Sequence, residues 1–403
     1  MKWRQVRFGD LYSVDARNGL TKPSKVRGAG SKMINMGELF AHDRIYDIPM
    51  ELVPLNTAEK TNAKIEPGDL LFARQSLVLE GAGKCSIVME TSPLTVFESH
   101  LIRVRLDSTK ALPLYYYYYF KSPLSPMKSI VSQCAQAGIR SNDLRELIVN
   151  APPIEQQHQI ARELSVYDDL IENNQKQIKL LEEAAQRLYK EWFVDLRFPG
   201  HENTKITDGV PKGWRKYKFS DITSIMSGGT PKTDVKEFYN GNIPFYTPKD
   251  SGDSFFAFDT ITHISQSGLD NCNSQLYPVN TIIITARGTV GKTTILAVPM
   301  AMNQSCYALK CDELNSPYYL FFSLKNEVAA LKTMSNGGVF NTIIVKTFDS
   351  ICLIAPTQDV LNMFEASVSP IMEQIKTKAR QNIILTEARD RLLPKLMSGE
   401  IEL

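Results

Sequence analysis

The sequence predicts two copies of a mixed α/β (α+β) globular domain joined by two long antiparallel coiled-coil helices, with a pseudo-twofold internal repeat. Three observations carry this. The 403-residue chain repeats itself at about half its length. Each copy holds short strand-like runs separated by Gly, Pro and Asn turns. Each copy then ends in about 40 residues whose apolar positions follow a three–four alternation.

The repeat is legible from the first line. "WRQVRFGDL" (3–11) returns as "WRKYKFSDI" (214–222). "LLFARQ" (70–75) is echoed by "IIITARG" (282–288), and each is followed by a Gly-Lys pair, Gly83-Lys84 and Gly291-Lys292. "LPLYYYYYFKS" (112–122) resembles "SPYYLFFSLK" (316–325), and "IVNAP" (148–152) resembles "CLIAP" (352–356). "LLEEAAQRL" (180–188) and "ILTEARDRL" (384–392) agree at five of nine positions. The expected boundaries are a first domain 1–151, a first helical spacer 152–195, a linker 196–213, a second domain 214–355 and a second helical spacer 356–403.

The helices are the clearest elements. After Pro152-Pro153, apolar or small residues fall at 161, 164, 171, 178, 181, 185, 188 and 192. After Pro356 the series is Leu361, Phe364, Val368, Ile371, Ile375, Leu385, Ala388 and Leu392. One stripe on each helix suits pairing of the two, because helices this long cannot bury themselves on one small domain. Asp168 and Asn174 or Gln175 interrupt the first stripe and Lys378 and Asn382 the second, and polar seam residues such as Asn174 and Asn382 are expected to fix register. Pro370 should kink the second helix or delay its regular part. The tyrosine run 115–119 suggests base stacking, but its counterpart "YYLFF" lacks most of the hydroxyls, so packing is the expected role.

Composition excludes several classes. A net charge of +2 is no polycation, so any nucleic-acid contact must come from local patches. No apolar run reaches the roughly 18 residues of a membrane span and no signal-peptide core opens the chain, so a cytoplasmic protein with no membrane partner is expected. The six cysteines (85, 134, 272, 306, 311, 352) form no CxxC pair, which reads as reduced, mostly buried thiols and no metal site. "ARGTVGKT" (286–293) fits a relaxed phosphate-binding loop, but "TILAVP" follows where a helix should begin, so a hairpin turn carrying basic residues is expected. No GxGxxG, HExxH or GxSxG motif is present, so no catalytic residue and no cofactor site is assigned.

Local charge says more. Residues 1–30 hold seven Lys and Arg against two Asp, and residues 210–250 hold seven against four acids. Each copy therefore starts with a basic stretch interleaved with Gly, Ser, Thr and Asn, the composition of phosphate and base-edge contacts.

Taken in order, "PPIEQQHQIARELSVYDDLIENN" (152–174), "RLYKEWFVDL" (187–196), "SGGTPKTDVKEFYNGNIPFYT" (227–247), "ARGTVGK" with "MNQSCYAL" (302–309), and "RLLPKLMSGEI" (391–401) resemble specificity (S) subunits of type I restriction–modification enzymes. The resemblance spans essentially the whole chain, and departs at "TQDVLNMF" (357–364) in place of the Glu-Gln version. It implies two target-recognition domains, each reading one half of a split asymmetric site in double-stranded DNA. It implies as partners two methyltransferase subunits and, through them, the restriction and motor subunits. S-adenosylmethionine, ATP and magnesium belong to those partners. The expected DNA contacts are Lys22, Lys25, Arg27, Arg74 and Arg140 in the first domain. In the second they are Thr230, Lys232, Lys249, Arg287, Lys292 and Asn341. Gly228, Gly229, Gly337 and Gly338 are expected to serve backbone geometry, and Lys60 and Lys64 to flank a surface loop. A nucleotide-binding enzyme using Lys292 and a non-catalytic coiled-coil scaffold are the rival readings.

Overall fold

The structure is a computed structural model and describes residues 3–133, 137–311, 313–334 and 342–403. The described chain divides into two compact units, one formed by Met1–Leu170 with Ile384–Leu403 and one by Ile171–Ile383.

In the first unit a five-stranded sheet runs in the order Tyr12–Asn18, Leu101–Leu106, Leu70–Ala73, Cys85–Val88, Arg44–Ile45. All neighbours are antiparallel except the last pair. The inner strands Leu70–Ala73 and Cys85–Val88 are buried on both faces, which is why they read as unbroken apolar runs rather than alternating ones. A smaller sheet places Ser31–Ile34 between Glu51–Val53 and a parallel Thr95–Phe97. The opening strand Arg4–Arg7 pairs with Ile148–Ala151. The helix Pro113–Lys121 covers the large sheet, and its tyrosines 115–119 are each 3% exposed or less. Packing is therefore their role. Four of the hydroxyls find partners inside the unit, as Tyr116 donates to Asn150 O (3.1 Å), Tyr117 accepts from Lys121 Nζ (3.2 Å), Tyr118 donates to Asp168 (2.6 Å) and Tyr119 accepts from Asn150 N (3.4 Å).

The second unit repeats this plan. Its five-stranded sheet runs Thr223–Ser227, Cys306–Cys311, Ile282–Thr285, Thr293–Leu296, Phe256–Ala257, again with only the last pair parallel. Tyr239–Tyr246 lies between His263–Ile264 and a parallel Ala301–Met302, and Arg215–Lys218 pairs with Cys352–Ala355. Helix Pro317–Met334 takes the place of the tyrosine helix. Ahead of the second unit's sheets, Ile206–Thr207 and Val210–Pro211 form a tight hairpin, turned by Asp208 and Gly209 at φ 52° and 73°.

The two long helices span Ile154–Tyr189, extended by a π-turn over Lys190–Val194, and Gln358–Ser398. Inside the first unit Ile160, Ala161 and Leu164 share a core with Leu393, Leu396 and Met397. Asp168 there meets Arg389 at 2.5 Å. Inside the second unit Tyr189 and Trp192 pack on Phe364, and Asn174 donates to Asn382 at 3.0 Å. Partner numbers fall as helix numbers rise, so the pairing is antiparallel in each unit. Of the predicted polar interruptions, Asn174 and Asn382 are thus matched amide to amide and Asp168 is matched by a guanidinium, whereas Lys378 has no side-chain partner among the described residues. The helical backbone continues through Pro370, so this proline does not delay the helix.

The divergent helix starts do one job by different means. Gln157 caps the tyrosine helix, accepting from Leu112 N (2.8 Å) and donating to Pro152 O (2.9 Å). In the second unit Glu365 takes this role one turn further along, accepting from Ser316 Oγ (2.5 Å), Tyr318 N (3.0 Å) and Tyr319 N (3.2 Å). Burial pushes its carboxyl pKa up, with these hydrogen bonds acting in the opposite direction.

The four described cysteines with described side chains are unpaired; Cys85 and Cys306 are buried. Cys272 is half-buried and Cys352 exposed at the head of an edge strand, so burial is less general than the sequence suggests. Among the described residues no helix is long and apolar enough to cross a membrane, and no cluster of metal-ligating side chains occurs.

Candidate nucleic-acid interface

In the second unit four turns converge at one end of the sheets. Gly228 makes the first approach possible. A Cβ there would lie 2.3 Å from Asn303 O and 2.4 Å from Met302 O, so only glycine lets the 228–232 segment lie against the 302–305 turn. Thr230 donates to Gln304 across this contact. Asn303 N donates to Tyr246 O (3.0 Å), and Ala286 N donates to Ser305 O (2.7 Å), which brings in the next two turns. The first of these, Pro248–Asp250, is held by Thr247 and Asp250 in a capping box and carries Lys249. The second carries Arg287 and is tied to the first by Thr289, which donates to Pro248 O (3.2 Å) and meets Ser251 Oγ at 2.6 Å.

The first unit builds the same frame. Gly19 is the counterpart of Gly228: its Cβ would lie 2.1 Å from Phe97 O and 2.4 Å from Glu98 O. Met36 N donates to the Glu98 carboxylate, and Arg74 N donates to His100 O (2.8 Å). Ile139 N donates to Arg74 O (2.9 Å), as Ile343 N does to Ala286 O (2.9 Å). Arg140 is thereby brought beside Arg74.

These hydrogen bonds correct the alignment of the two copies. Ala73 donates to Lys84 O and accepts from Gly83 N, at 2.9 and 2.8 Å. Thr285 does the same with Lys292 O and Gly291 N, at 2.9 and 2.8 Å. Ala73 therefore corresponds to Thr285, Arg74 to Ala286, and Gln75 to Arg287. The shared Ala-Arg dipeptide is out of structural register by one residue, whereas the shared Gly-Lys is in register.

The expected contact residues fall into two groups. Lys25, Arg140, Lys232, Lys249 and Arg287 are exposed and have no side-chain partner among the described residues. Lys22, Arg27 and Lys292 are ion-paired with Glu59 (2.8 Å), Glu51 (2.5 Å) and Asp253 (2.5 Å). Lys22, with the Asn56 N–H, holds the Glu59 carboxyl below its usual range. Lys292 does the same for Asp253. Arg27 also donates to Lys22 O (2.8 Å), so this pair braces the loop that presents Lys25. Arg74 is half-buried and donates to Ser99 O (3.4 Å). Asn341, Gly337, Gly338 and Cys134 lie outside the described residues.

Residues 286–292 form the turn of a β-hairpin, because Ile282–Thr285 pairs antiparallel with Thr293–Leu296. Thr285 Oγ1 donates into the turn and accepts from Lys292 N (3.0 Å), and no helix follows to receive phosphates. Sequence reasoning missed Gln75, His100, Ser251, Thr289 and Gln304, which also line the clusters. The signal that finds them is the matched turn "ESH" (98–100) with "NQS" (303–305), visible only once the register is known.

The profile of the family "Type I restriction modification DNA specificity domain" matches residues 1–183 and 211–360. The chain is 28% identical over 344 residues to the type I restriction enzyme MjaIX specificity subunit of Methanocaldococcus jannaschii, covering 82% of this chain and 78% of the relative. It is 26% identical over 325 residues to the HindI specificity subunit of Haemophilus influenzae, covering 65% and 71%. Its fold is similar to the crystal structure of a type I restriction–modification S subunit from M. genitalium, with a TM-score of 0.57 and 16% identity over 98% of this chain and 96% of that one.

Proposed function

We propose that this chain, which belongs to the type I restriction modification DNA specificity domain family, reads a bipartite asymmetric DNA site, one half with each unit. It is a sequence-specific DNA-binding subunit of a type I restriction–modification complex, without catalysis of its own. The observation that carries the finer reading is the turn cluster built twice on one hydrogen-bond frame, with different side chains at matched positions. Arg287 stands where Gln75 stands, and a guanidinium and an amide prefer different base edges. Two similar frames with exchanged side chains suit two different half-sites.

In this reading Lys25, Arg140, Lys232 and Lys249 meet phosphates, since they are exposed cations with no carboxylate to displace. Lys22, Arg27 and Lys292 act mainly by shaping the loops. The target-recognition domains are 1–151 and 214–355. The chain directs two methyltransferase subunits to the site and reaches the restriction subunits through them, in the cytoplasm. The phosphate-loop alternative has no such support, since its lysine is ion-paired and its loop is a hairpin.

Two experiments test this. Grafting residues 1–151 from a related subunit should change one half of the methylated target and leave the other intact. The graft must keep the contacts its domain makes with the helices inside the first unit: Tyr118 to Asp168 and Leu112 to Gln157. Methylation mapping reads the outcome, and a simultaneous change in both halves sinks the independent-reader proposal. Among point changes, Arg287→Ala should cost about 1–3 kcal/mol on the cognate site and relax preference at one position. Lys249→Ala should weaken all sequences alike and lower the salt slope by about 0.9 per lost contact. The reverse pattern would exchange their roles.

A further inference from the structure

The hairpin that ends at Arg74 is longer than its counterpart. From Ala73 to Gly83 is ten residues, and from Thr285 to Gly291 is six, so the first unit carries four extra residues (10 − 6) at this tip. The addition is apolar and stands in solvent: Leu77 is 90% exposed, Val78 59% and Leu79 45%. Nothing else on the described surface of this unit exposes a leucine so fully.

The tip is nevertheless held. Gln75–Ser76 pairs with Ala137–Gly138. Ser76 Oγ accepts from Val78 N (3.2 Å), and Gly81 N donates to Val78 O (3.2 Å). Three consecutive exposed apolar side chains held beside a polar cluster form a contiguous patch of the kind that marks a contact surface.

A shallow cleft adjoins it, lined by Met36, Phe40, Gln75, Ser76, Leu77 and His100. Its polar edge has a defined sense. Gln75 Oε1 lies 2.8 Å from His100 Nδ1, and an amide oxygen can only accept, so His100 donates there. That leaves the Gln75 amide NH2 as a donor with no partner among the described residues, next to an apolar wall. In the major groove only thymine offers an acceptor, O4, beside a methyl group. Cytosine presents a donor at the same place and has no methyl.

We propose that the Leu77 tip and the Gln75 amide together recognise one thymine of the first half-site, Leu77 packing on its 5-methyl group and Gln75 donating to O4. This rests on the DNA-reading function proposed above and makes Leu77 a specificity-determining residue absent from the second unit. It also accounts for the unequal hairpins, because a methyl contact needs a longer reach than the Arg287 guanidinium.

The test uses the full chain in complex with its methyltransferase subunits, on the target defined by methylation mapping. Each thymine of the first half-site is replaced by deoxyuridine, which removes only the methyl group. At one position this should weaken wild-type binding by about fourfold, the worth of one methyl group. Leu77→Ala should bind the thymine site about as weakly as the deoxyuridine site and no longer distinguish them. Leu77→Ile should keep the distinction, and both variants should respond to substitutions in the second half-site as the wild type does. Folding is not at issue, because the side chain touches solvent. If no deoxyuridine substitution affects the wild type, or if Leu77→Ala remains as methyl-sensitive as the wild type, the inference is overturned. A leucine wedged between base pairs would give that second result. Loss of all preference for the mapped site in the wild-type complex would instead overturn the DNA-reading function itself.

Discussion

Arg389→Ala should destabilise the first unit by about 3–5 kcal/mol, the cost of leaving one member of a buried ion pair without its partner. Asp168 is 5% exposed, and its carboxylate meets the Arg389 guanidinium at 2.5 Å and the Tyr118 hydroxyl at 2.6 Å. Without the arginine the charge keeps only the tyrosine as a hydrogen-bond partner among the described residues. The neighbouring helix positions Leu392, Leu393 and Leu396 offer no polar replacement. Asp168→Leu combined with Arg389→Met should recover most of the loss, because two apolar side chains of similar volume need no desolvated charge. Urea midpoints of the wild type, both single variants and the double variant measure this. A single-variant loss below about 1 kcal/mol would mean that water reaches the pair as it does a surface bridge.

Matched heptads inserted after Gln177 and after Lys378 should lengthen the preferred gap between half-sites by about three base pairs. Asn174 faces Asn382, and the two insertion points oppose each other in the same antiparallel register. A heptad in each helix keeps the stripe in phase and adds about 10 Å, against about 3.4 Å per base pair. Both half-site sequences should stay unchanged. Two residues inserted after Gln177 alone should instead rotate the following stripe by about 200°. That turns Ala185, Tyr189 and Trp192 away from Leu361, Phe364 and Val368, the largest continuous core of the second unit. That variant should fail to fold. Methylation mapping of the heptad variant decides the point: a folded, active protein with its original gap would show that these helices do not set the spacing.

Much of this protein is legible in one dimension. The helices could be read because their period and polar interruptions are local signals, and Asn174 and Asn382 do meet as their places in the stripes require. The tyrosine run could be discounted as a reading surface because its counterpart kept the size but lost most of the hydroxyls. The hairpin at 286–292 could be told from a phosphate loop because β-branched residues followed it. The strands were legible as apolar runs, but their neighbours were not, since pairing in a sheet with crossed-over order is set by distant residues.

The sequence alone determined the duplication, the two helical stripes, the basic character of each domain's opening and the absence of a catalytic motif. These depend on residue type and spacing along the chain, which folding does not alter. Only the tertiary structure decided which cations stay available. Lys22, Arg27 and Lys292 meet carboxylates 37, 24 and 39 residues away in sequence, and nothing local announces such partners. It also decided the true register of the two copies. Arg74 matches Ala286 and Gln75 matches Arg287, because backbone hydrogen bonds fix equivalence while side-chain identity drifts by a residue around a turn.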